Sequence, residues 1–150
     1  MQVIINDGAF IKKSYTISTD KGLLDFEMIY KYLDQDSYWS HGVPVETLKR
    51  AIENSLCFGI YHQNKQVAFA RVVTDKGTFA YLCDVFVLPA HRNLGLSKWL
   101  VQTIKNHPDL QGLRRWSLAT VDAHGLYSQF GFEPITHPER WMAIFTPYKS

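Results

Sequence analysis

Cysteine is scarce in this sequence. Of its 150 residues only two, Cys57 and Cys83, are cysteines. Both lie within apolar runs that predict strands, so we expect buried free thiols rather than a disulfide framework. No Cys-x-x-Cys or Cys/His spacing of a zinc site is present, and we therefore expect no bound metal.

Long hydrophobic runs and dense charge of one sign are also missing. No apolar run approaches the roughly 20 residues that cross a bilayer, and residues 1–14 lack the pattern of a signal peptide. The net charge of +2 is too small to indicate a nucleic-acid or membrane partner. We expect a cytoplasmic, soluble protein that binds neither nucleic acid nor membrane.

The composition that remains is that of one globular domain. A hydrophobic fraction of 46% with 20% charged residues is ordinary for a folded chain, and 150 residues is a natural domain size. Internal repeats, linkers and low-complexity tracts are absent. The sequence therefore predicts a single domain over residues 1–150.

Hydrophobic periodicity predicts strands alternating with helices. The predicted order is βααβββαβαβ, in which helices lie between strands, so we expect an α/β fold whose central, mostly antiparallel mixed sheet has helices on both faces. The elements in order are KKSYTIST, LLDFEMIYKYLDQ, PVETLKRAIENS, LCFGIYHQN, QVAFARVVTD, TFAYLCDVFVL, SKWLVQTIKNH, LRRWSLATV, AHGLYSQF and a last strand near RWMAIFTPY.

The stretch VFVLPAHRNLGLSKWL, residues 85–100, combines a buried strand, a basic turn and a helix start. The first N–H groups of a helix have no intrahelical partner and carry the positive end of its dipole. Gly95 permits a positive φ angle, Arg92 adds a permanent charge and Ser97 adds a hydroxyl. These features predict a phosphate or pyrophosphate site. The alternative is a solvated turn with an ordinary glycine and a serine cap, and neither G-x-G-x-x-G nor G-K-[ST] is present.

Two motifs together resemble one known family. Arg92-Asn93-Leu94-Gly95-Leu96-Ser97 resembles the [Q/R]-x-x-G-x-[G/A] signature of the GNAT superfamily of N-acetyltransferases, and GLYSQFGFEP further along resembles its LY-x-x-x-GF element. The resemblance covers roughly residues 56–147. It implies a GNAT-like fold and acetyl-CoA as the co-substrate, with no metal.

The resemblance also implies how the cofactor is bound. The main-chain amides of the turn are expected to hold the pyrophosphate, Val87 to pair with the pantetheine arm, and the Val85 N–H to point at the acetyl carbonyl. Ser97 stands where Gly or Ala is usual, and Thr120 stands near a position where many members have an Asn. The expected cofactor-binding residues are Val85, Val87, Arg92, Asn93, Leu94, Gly95, Leu96, Ser97 and Thr120.

Two residues are candidates for catalysis. By resemblance, Tyr127 is the general acid for the departing thiolate; the alternative is a core aromatic. Asp84 is a carboxylate in an apolar strand, which usually has a function or a partner, and we expect a general base or a substrate contact there. The alternative for Asp84 is a salt bridge to Arg71 on the neighbouring strand.

The loop DQDSYWSHG lies where this family usually has its acceptor site. We expect Tyr38 and Trp39 to form an aromatic wall and Asp36 to hold a cation; alternatively Trp39 packs at the core edge. The implied activity is acetyl transfer from acetyl-CoA to a primary amine of a small molecule by direct attack in a ternary complex. Transfer to a protein N-terminus or lysine, and a non-catalytic acyl-CoA-binding regulatory module, remain alternatives. The oligomeric state stays open, and a homodimer paired through the aromatic-rich C-terminal strand is one alternative.

Overall fold

The computed structural model describes residues 4–5 and 14–149. The expectation that residues 1–14 do not form a signal peptide concerns residues that lie mostly outside this range. The strands are β1 Ile4–Ile5, β2 Tyr15–Ser18, β3 Leu56–His62, β4 Lys65–Thr74, β5 Phe79–Val87 and β6 Arg115–Ser117. The helices are α1 Phe26–Lys31, which continues as a π-helical turn Tyr32–Asp36, α2 Val45–Glu53, α3 Leu96–Lys105 and α4 His124–Ser128. Short 3₁₀ turns are Lys21–Leu23, Pro89–His91, Pro108–Leu110 and Pro138–Arg140.

The six strands of the described residues form one sheet in the order β1-β2-β3-β4-β5-β6. Every neighbouring pair is antiparallel except β5 and β6, which are parallel. The parallel pairing ends at Tyr81 and Ser117, although β5 continues to Val87. The predicted mixed, mostly antiparallel sheet is therefore confirmed. The pairing between its last two strands stops partway along β5.

Two hydrophobic clusters lie on opposite faces of the sheet, as expected for helices on both sides. On one face α3 buries Trp99, Leu100 and Ile104 in the same cluster as Phe58 and Ile60 of β3. On the other face α1 and α2 pack on the alternate strand positions, with Ile29, Leu48 and Ile52 beside Cys57 and Phe69. Because successive strand side chains point to opposite faces, one apolar strand supplies both clusters.

A β-bulge interrupts β5 opposite β4. Phe69 pairs with Phe86 and Arg71 pairs with Cys83, so two steps along β4 match three along β5. Asp84 adopts a left-handed conformation with φ 54°, which is uncommon for a residue with a side chain but more accessible to Asp than to most. A bulge bends its strand and leaves the extra residue outside the ladder, and here it does so where β5 separates from β6.

The sequence prediction differs from the structure at the chain ends. The expected last strand near RWMAIFTPY is wrong, since residues 141–149 have no regular secondary structure and Met142 and Ile144 are almost fully exposed. The strand expected over LRRWSLATV is only three residues long. The first predicted strand begins at residue 12, outside the described range, and the short β1 was not expected. Within the described residues, no helix has the length and apolar character to cross a bilayer.

Candidate active site

A cleft of about 300 Å³ lies where β5 and β6 separate. Its walls are residues 81–85 of β5 on one side and residues 118–123 after β6 on the other, with Tyr127 and the side chains of Tyr38 and Trp39 completing it. The cleft exists because the parallel pairing stops early and the bulge at Asp84 bends β5. It therefore unites residues from three distant parts of the chain.

Tyr127 lies on α4 and is 8% exposed. Its ring packs edge-on against Phe132 at 5.9 Å between centroids. Burial raises the pKa of the Tyr127 phenol to about 12, with smaller contributions from Tyr38 and Asp122. The side chain is thus both a core aromatic and a cleft residue, and it is a protonated hydroxyl at neutral pH.

Asp84 is buried, and both of its carboxylate oxygens accept hydrogen bonds from protein groups. Arg71 Nε donates to Oδ2 at 2.8 Å, and Trp39 Nε1 donates to Oδ1 at 3.0 Å. The Arg71 guanidinium also donates to Ser55 Oγ at 3.0 Å. The salt bridge that the sequence offered as the alternative is therefore present, and the expected role of Asp84 as a base stays a prediction.

The loop after the π-helical turn brings two of its three predicted residues to the cleft. Tyr38 and Trp39 pack edge to face with centroids 5.0 Å apart, and the Tyr38 hydroxyl accepts a hydrogen bond from the Val121 N–H at 3.2 Å. Asp36 is exposed at the end of the turn and does not line the cleft. The aromatic wall is thus present without the carboxylate that was expected beside it.

The predicted cofactor turn leads into α3 as the sequence suggested. Asn93 has φ 64°, and Gly95 caps the helix with φ 83°, a conformation for which glycine carries no Cβ penalty. No side chain caps this helix N-terminus, and Leu96 is buried beneath it while Asn93 and Leu94 are exposed. The N–H groups of residues 93–97 therefore cluster at the positive end of a ten-residue helix dipole.

Arg92 braces this turn by side-chain bonds that the sequence did not suggest. Its Nε donates to the Val87 carbonyl at 2.9 Å, and its Nη2 donates to the Tyr32 hydroxyl at 2.9 Å. Tyr32 in turn stacks on Phe86 with centroids 3.9 Å apart. The guanidinium thus joins β5 to the π-helical turn that follows α1, and it adds positive charge to the cofactor turn.

The remaining predicted cofactor residues have specific surroundings. Val85 lines the cleft next to the bulge, whereas Val87 is buried and pairs with Ala68 of β4. Ser97 is half-buried in the first turn of α3. Thr120 Oγ1 accepts the Ala123 N–H at 3.1 Å just before α4 and also lines the cleft.

Sequence reasoning missed several residues of the site. Cys83 and Val121 line the cleft, and Tyr32 and Ser55 support Arg92 and Arg71. Burial raises the pKa of the Cys83 thiol to about 12, so it is held in its un-ionised form. The apolar strand pattern carried no signal for these contacts because they depend on how β5 bends. Among the described residues, no group of three or more His, Cys, Asp or Glu side chains is arranged to hold a metal ion.

Comparison with known proteins identifies the class to which this arrangement belongs. The sequence profile of the Acetyltransferase (GNAT) family matches residues 26–132. A protein of Gibberella zeae described as a candidate acetyltransferase is 34% identical over 137 residues, covering 77% of this chain and 76% of its own length.

Solved structures agree with the family match. A crystal structure described as that of a candidate GNAT-family acetyltransferase of Xanthomonas campestris pv. campestris is 53% identical, with a TM-score of 0.87, and covers 89% of this chain and 94% of that one. A predicted acetyltransferase of Clostridium acetobutylicum, solved with acetyl-CoA, shares the fold at 14% identity and a TM-score of 0.62, with 97% and 96% coverage. The chain belongs to the GNAT family of acetyltransferases, and the family uses acetyl-CoA as its acetyl donor.

Proposed function

We propose that this protein transfers the acetyl group of acetyl-CoA to a primary amine of a small molecule, by direct attack in a ternary complex. One arrangement carries the proposal. The bulged strand β5 leads from the cleft at Val85, through Val87, to the amide-rich turn that opens α3. A long thioester with a diphosphate at one end fits such a path, because the turn offers N–H groups to the diphosphate and the open edge of β5 offers main-chain groups to the pantetheine arm.

Residues 92–97 are assigned the role of binding the diphosphate end of acetyl-CoA, the acetyl donor. The amides of Asn93, Leu94, Gly95, Leu96 and Ser97 bind the diphosphate, and Arg92 supports the turn through Val87 and Tyr32. Ser97 retains a small side chain at the position where the family usually has Gly or Ala. Thr120 contributes through its position in the cleft wall, although its hydroxyl already accepts a hydrogen bond from Ala123.

At the reacting end, we assign to the Val85 N–H the role of donating a hydrogen bond to the oxyanion that develops on the acetyl group. Val85 lies beyond Tyr81, the last residue of β5 that pairs with β6, and it lines the cleft, so the edge of β5 that faces the cleft is open there. Backbone N–H groups fixed in a site of low polarity stabilise such charge without reorganising. Among substitutions only proline would remove this donor, because it is part of the main chain.

Tyr127 is assigned the role of stabilising the departing thiolate. With its pKa raised to about 12, the phenol would transfer its proton unfavourably to a thiolate whose conjugate thiol has a pKa of about 8.5. It therefore acts as a hydrogen-bond donor that remains protonated at neutral pH. The un-ionised Cys83 in the same cleft is a poor nucleophile, which favours direct attack by the amine over an acyl-cysteine route.

The acceptor amine is assigned to the Tyr38 and Trp39 side of the cleft. A primary alkyl amine has a pKa of about 10.4, so about one molecule in a few thousand is neutral at pH 7. Asp84 is proposed to attract and orient this amine indirectly, because its oxygens already hold Trp39 and Arg71. A small-molecule acceptor suits the cleft volume of about 300 Å³.

The test is an acetylation assay on the full chain. Free thiol is measured while acetyl-CoA is presented with small primary amines, with peptides bearing a free N-terminus, and with N-blocked peptides bearing lysine, and mass spectrometry identifies the product. Preference for small amines supports the proposal, and preference for either peptide class overturns the substrate assignment. Tight binding of acetyl-CoA without turnover of any amine would indicate a regulatory module instead.

A further inference from the structure

The aromatic wall of the cleft is anchored to the central strand at one atom. Trp39 lines the cleft beside Tyr38 and Tyr81, and these three side chains are 38%, 59% and 36% exposed. Large aromatic side chains that stay accessible in a cleft offer a ligand contact area at little cost in conformational freedom. The bond from Trp39 Nε1 to Oδ1 of Asp84 restricts the rotation of the indole and so fixes the direction in which its face points.

Behind Trp39 a chain of hydrogen bonds continues from β5 through β4 to α2. Arg71 Nε donates to Asp84 Oδ2 at 2.8 Å, and Arg71 Nη1 donates to Ser55 Oγ at 3.0 Å. The Ser55 hydroxyl in turn donates to the carbonyl of Ala51 in α2 at 2.6 Å. Asp84 and Ser55 are each 8% exposed, so solvent has little access to the chain. The indole is therefore held by the sheet and by a helix as well as by its own loop.

The backbone of Asp84 is strained where its carboxylate meets these partners. Its φ of 54° lies in the left-handed region, which costs free energy for a residue with a side chain and persists where the surrounding structure holds it. Such strained residues cluster at functional sites. A general base needs an oxygen within hydrogen-bond reach of the amine or of one water next to it, whereas here Arg71 and Trp39 each occupy one oxygen. This arrangement favours a positioning role.

The lining of the cleft offers little charge to an acceptor. Its ionisable side chains besides Asp84 are the phenols, the thiol of Cys83 and one carboxylate, that of Asp122, which is exposed. Burial raises the pKa of the Cys83 thiol and of the Tyr127 phenol to about 12, so both are neutral at pH 7. A second charge on the acceptor would lose its water against mostly apolar walls, which is unfavourable. An uncharged flat body meets no such penalty.

We propose, resting on the acetyl transfer proposed above, that Asp84 is a positioning residue for Trp39 and that the indole it holds selects primary amines carried on an aromatic body. Aromatic rings that stack or meet edge to face gain stabilisation beyond the area that they bury. The amine of such an arylalkylamine reaches the thioester at Val85 while its ring contacts Trp39 and Tyr38, because all three residues line the same cleft. Asp84 acts through the indole and touches no reacting atom.

Steady-state kinetics on the full chain tests the selection. Wild type should have a KM for 2-phenylethylamine roughly tenfold below those for n-hexylamine and 1,5-diaminopentane, which cannot stack. Trp39→Leu should bring the three values together by raising the first, with KM for acetyl-CoA unchanged. Trp141→Leu is the matched control, because Trp141 is 44% exposed and lies outside the cleft. Equal KM values in wild type, or a preference for the diamine that Asp122→Asn abolishes, would overturn the aromatic assignment.

A double-mutant cycle tests the positioning role. Arg71→Met/Asp84→Asn keeps an oxygen that can accept the Trp39 Nε1–H, Arg71→Met/Asp84→Ala removes it, and both variants lack the ion pair. The Ala variant should have a KM for 2-phenylethylamine roughly fivefold above that of the Asn variant, the equivalent of one hydrogen bond. In a Trp39→Phe background, which retains a flat ring without the N–H, this difference should vanish. A difference that persists there, or a large loss of kcat with unchanged KM in both variants, would overturn the proposal.

Binding without turnover separates this proposal from the proposed function. 2-Phenylethylamine is titrated into protein saturated with CoA, and tryptophan fluorescence is recorded for wild type, Trp39→Phe and Trp141→Phe. Contact with the indole should give a saturable change in wild type and Trp141→Phe that is absent in Trp39→Phe. If this change appears but no amine is acetylated, the acetyl transfer fails and the aromatic wall stands. If amines are acetylated while Trp39→Phe responds like wild type, the wall assignment fails and the acetyl transfer stands.

Discussion

The indole Nε1 of Trp39 donates a hydrogen bond of 3.0 Å to Oδ1 of Asp84. This bond joins the loop after α1 to the bulge of β5, two elements far apart in sequence. Because Arg71 holds the other oxygen of the same carboxylate at 2.8 Å, the buried charge is compensated. The ion pair thereby fixes one wall of the cleft.

Removing only one partner of this ion pair should lower the free energy of unfolding substantially. Arg71→Met leaves the Asp84 carboxylate buried without its cation, and removal of one partner of a buried pair typically lowers the free energy of unfolding by about 3–5 kcal/mol. The double variant Arg71→Met/Asp84→Asn should recover part of this loss. Urea unfolding measures both, and a loss below about 1 kcal/mol in the single variant would show that the pair is solvated.

Tyr127→Phe should slow thiol release roughly a hundredfold, which is the size of loss typical when one positioned hydrogen-bond donor to a developing charge is removed. The ring and its packing against Phe132 remain, so KM for acetyl-CoA and the thermal midpoint should change little. Phe130→Leu, which alters a partly buried neighbour in the same core cluster and removes no hydroxyl, is the comparison. Unchanged turnover in Tyr127→Phe would remove this residue from the mechanism.

Gly95→Ala should weaken CoA binding and also strain the backbone. With φ at 83°, an added Cβ costs roughly 1–2 kcal/mol in the left-handed region, and it also stands at the proposed diphosphate site. Gly112→Ala is a matched control, because its φ is 72° and a Cβ there meets no atom within 4 Å. Calorimetry should show a loss of CoA affinity in the first variant only, and equal affinities would place the diphosphate elsewhere.

Tyr61→Phe should make the protein more resistant to alkali. Burial raises the pKa of Tyr61 to about 12 from its ordinary value of 10, so between these pH values the unfolded chain ionises while the folded chain does not. The stabilisation is therefore complete below pH 10 and is lost as the pH rises towards 12, at about 1.4 kcal/mol per pH unit for one proton.

Lysines also contribute to the pH dependence of the unfolding free energy in this range, as do the buried thiols Cys57 and Cys83, whose raised pKa values act in the same direction. These contributions are shared by wild type and variant, so the difference between the two proteins reports on Tyr61 alone. The buried Tyr61 hydroxyl has no hydrogen-bond partner among the described residues, so the variant relieves the cost of burying an unpaired polar group and should be at least as stable as wild type at pH 7. If the unfolding free energies of wild type and Tyr61→Phe depend equally on pH from 10 to 12, Tyr61 is not buried.

The sequence was informative where structure follows from local patterns. Alternating and continuous apolar runs predicted the central strands, and Gly95 before a helical Leu/Trp pattern predicted the turn and the start of α3. These features depend on φ preferences, periodicity and helix ends, which are properties of neighbouring residues. The same patterns failed at residues 141–149, where apolar and aromatic residues predicted a strand but the structure has no regular secondary structure.

The site itself was only partly predictable. Tyr38, Trp39, Asp84 and Tyr127 were all identified from their residue types or from family resemblance, and the cleft brings them together. Asp36 was assigned to the same site, but the π-helical turn leaves it exposed. No local pattern shows that α1 ends in such a turn, because the choice depends on how Tyr32 and Leu33 pack into the core.

The order of elements from β2 to α4 and the amide-rich turn after Val87 were determined by the sequence alone, because each depends on residues close together along the chain. The tertiary structure decided that β5 bulges at Asp84, that it parts from β6 after Tyr81, and that Arg71 and Trp39 meet at one carboxylate. These features arise from pairing between distant segments, whose register and bending are set by packing across the whole sheet.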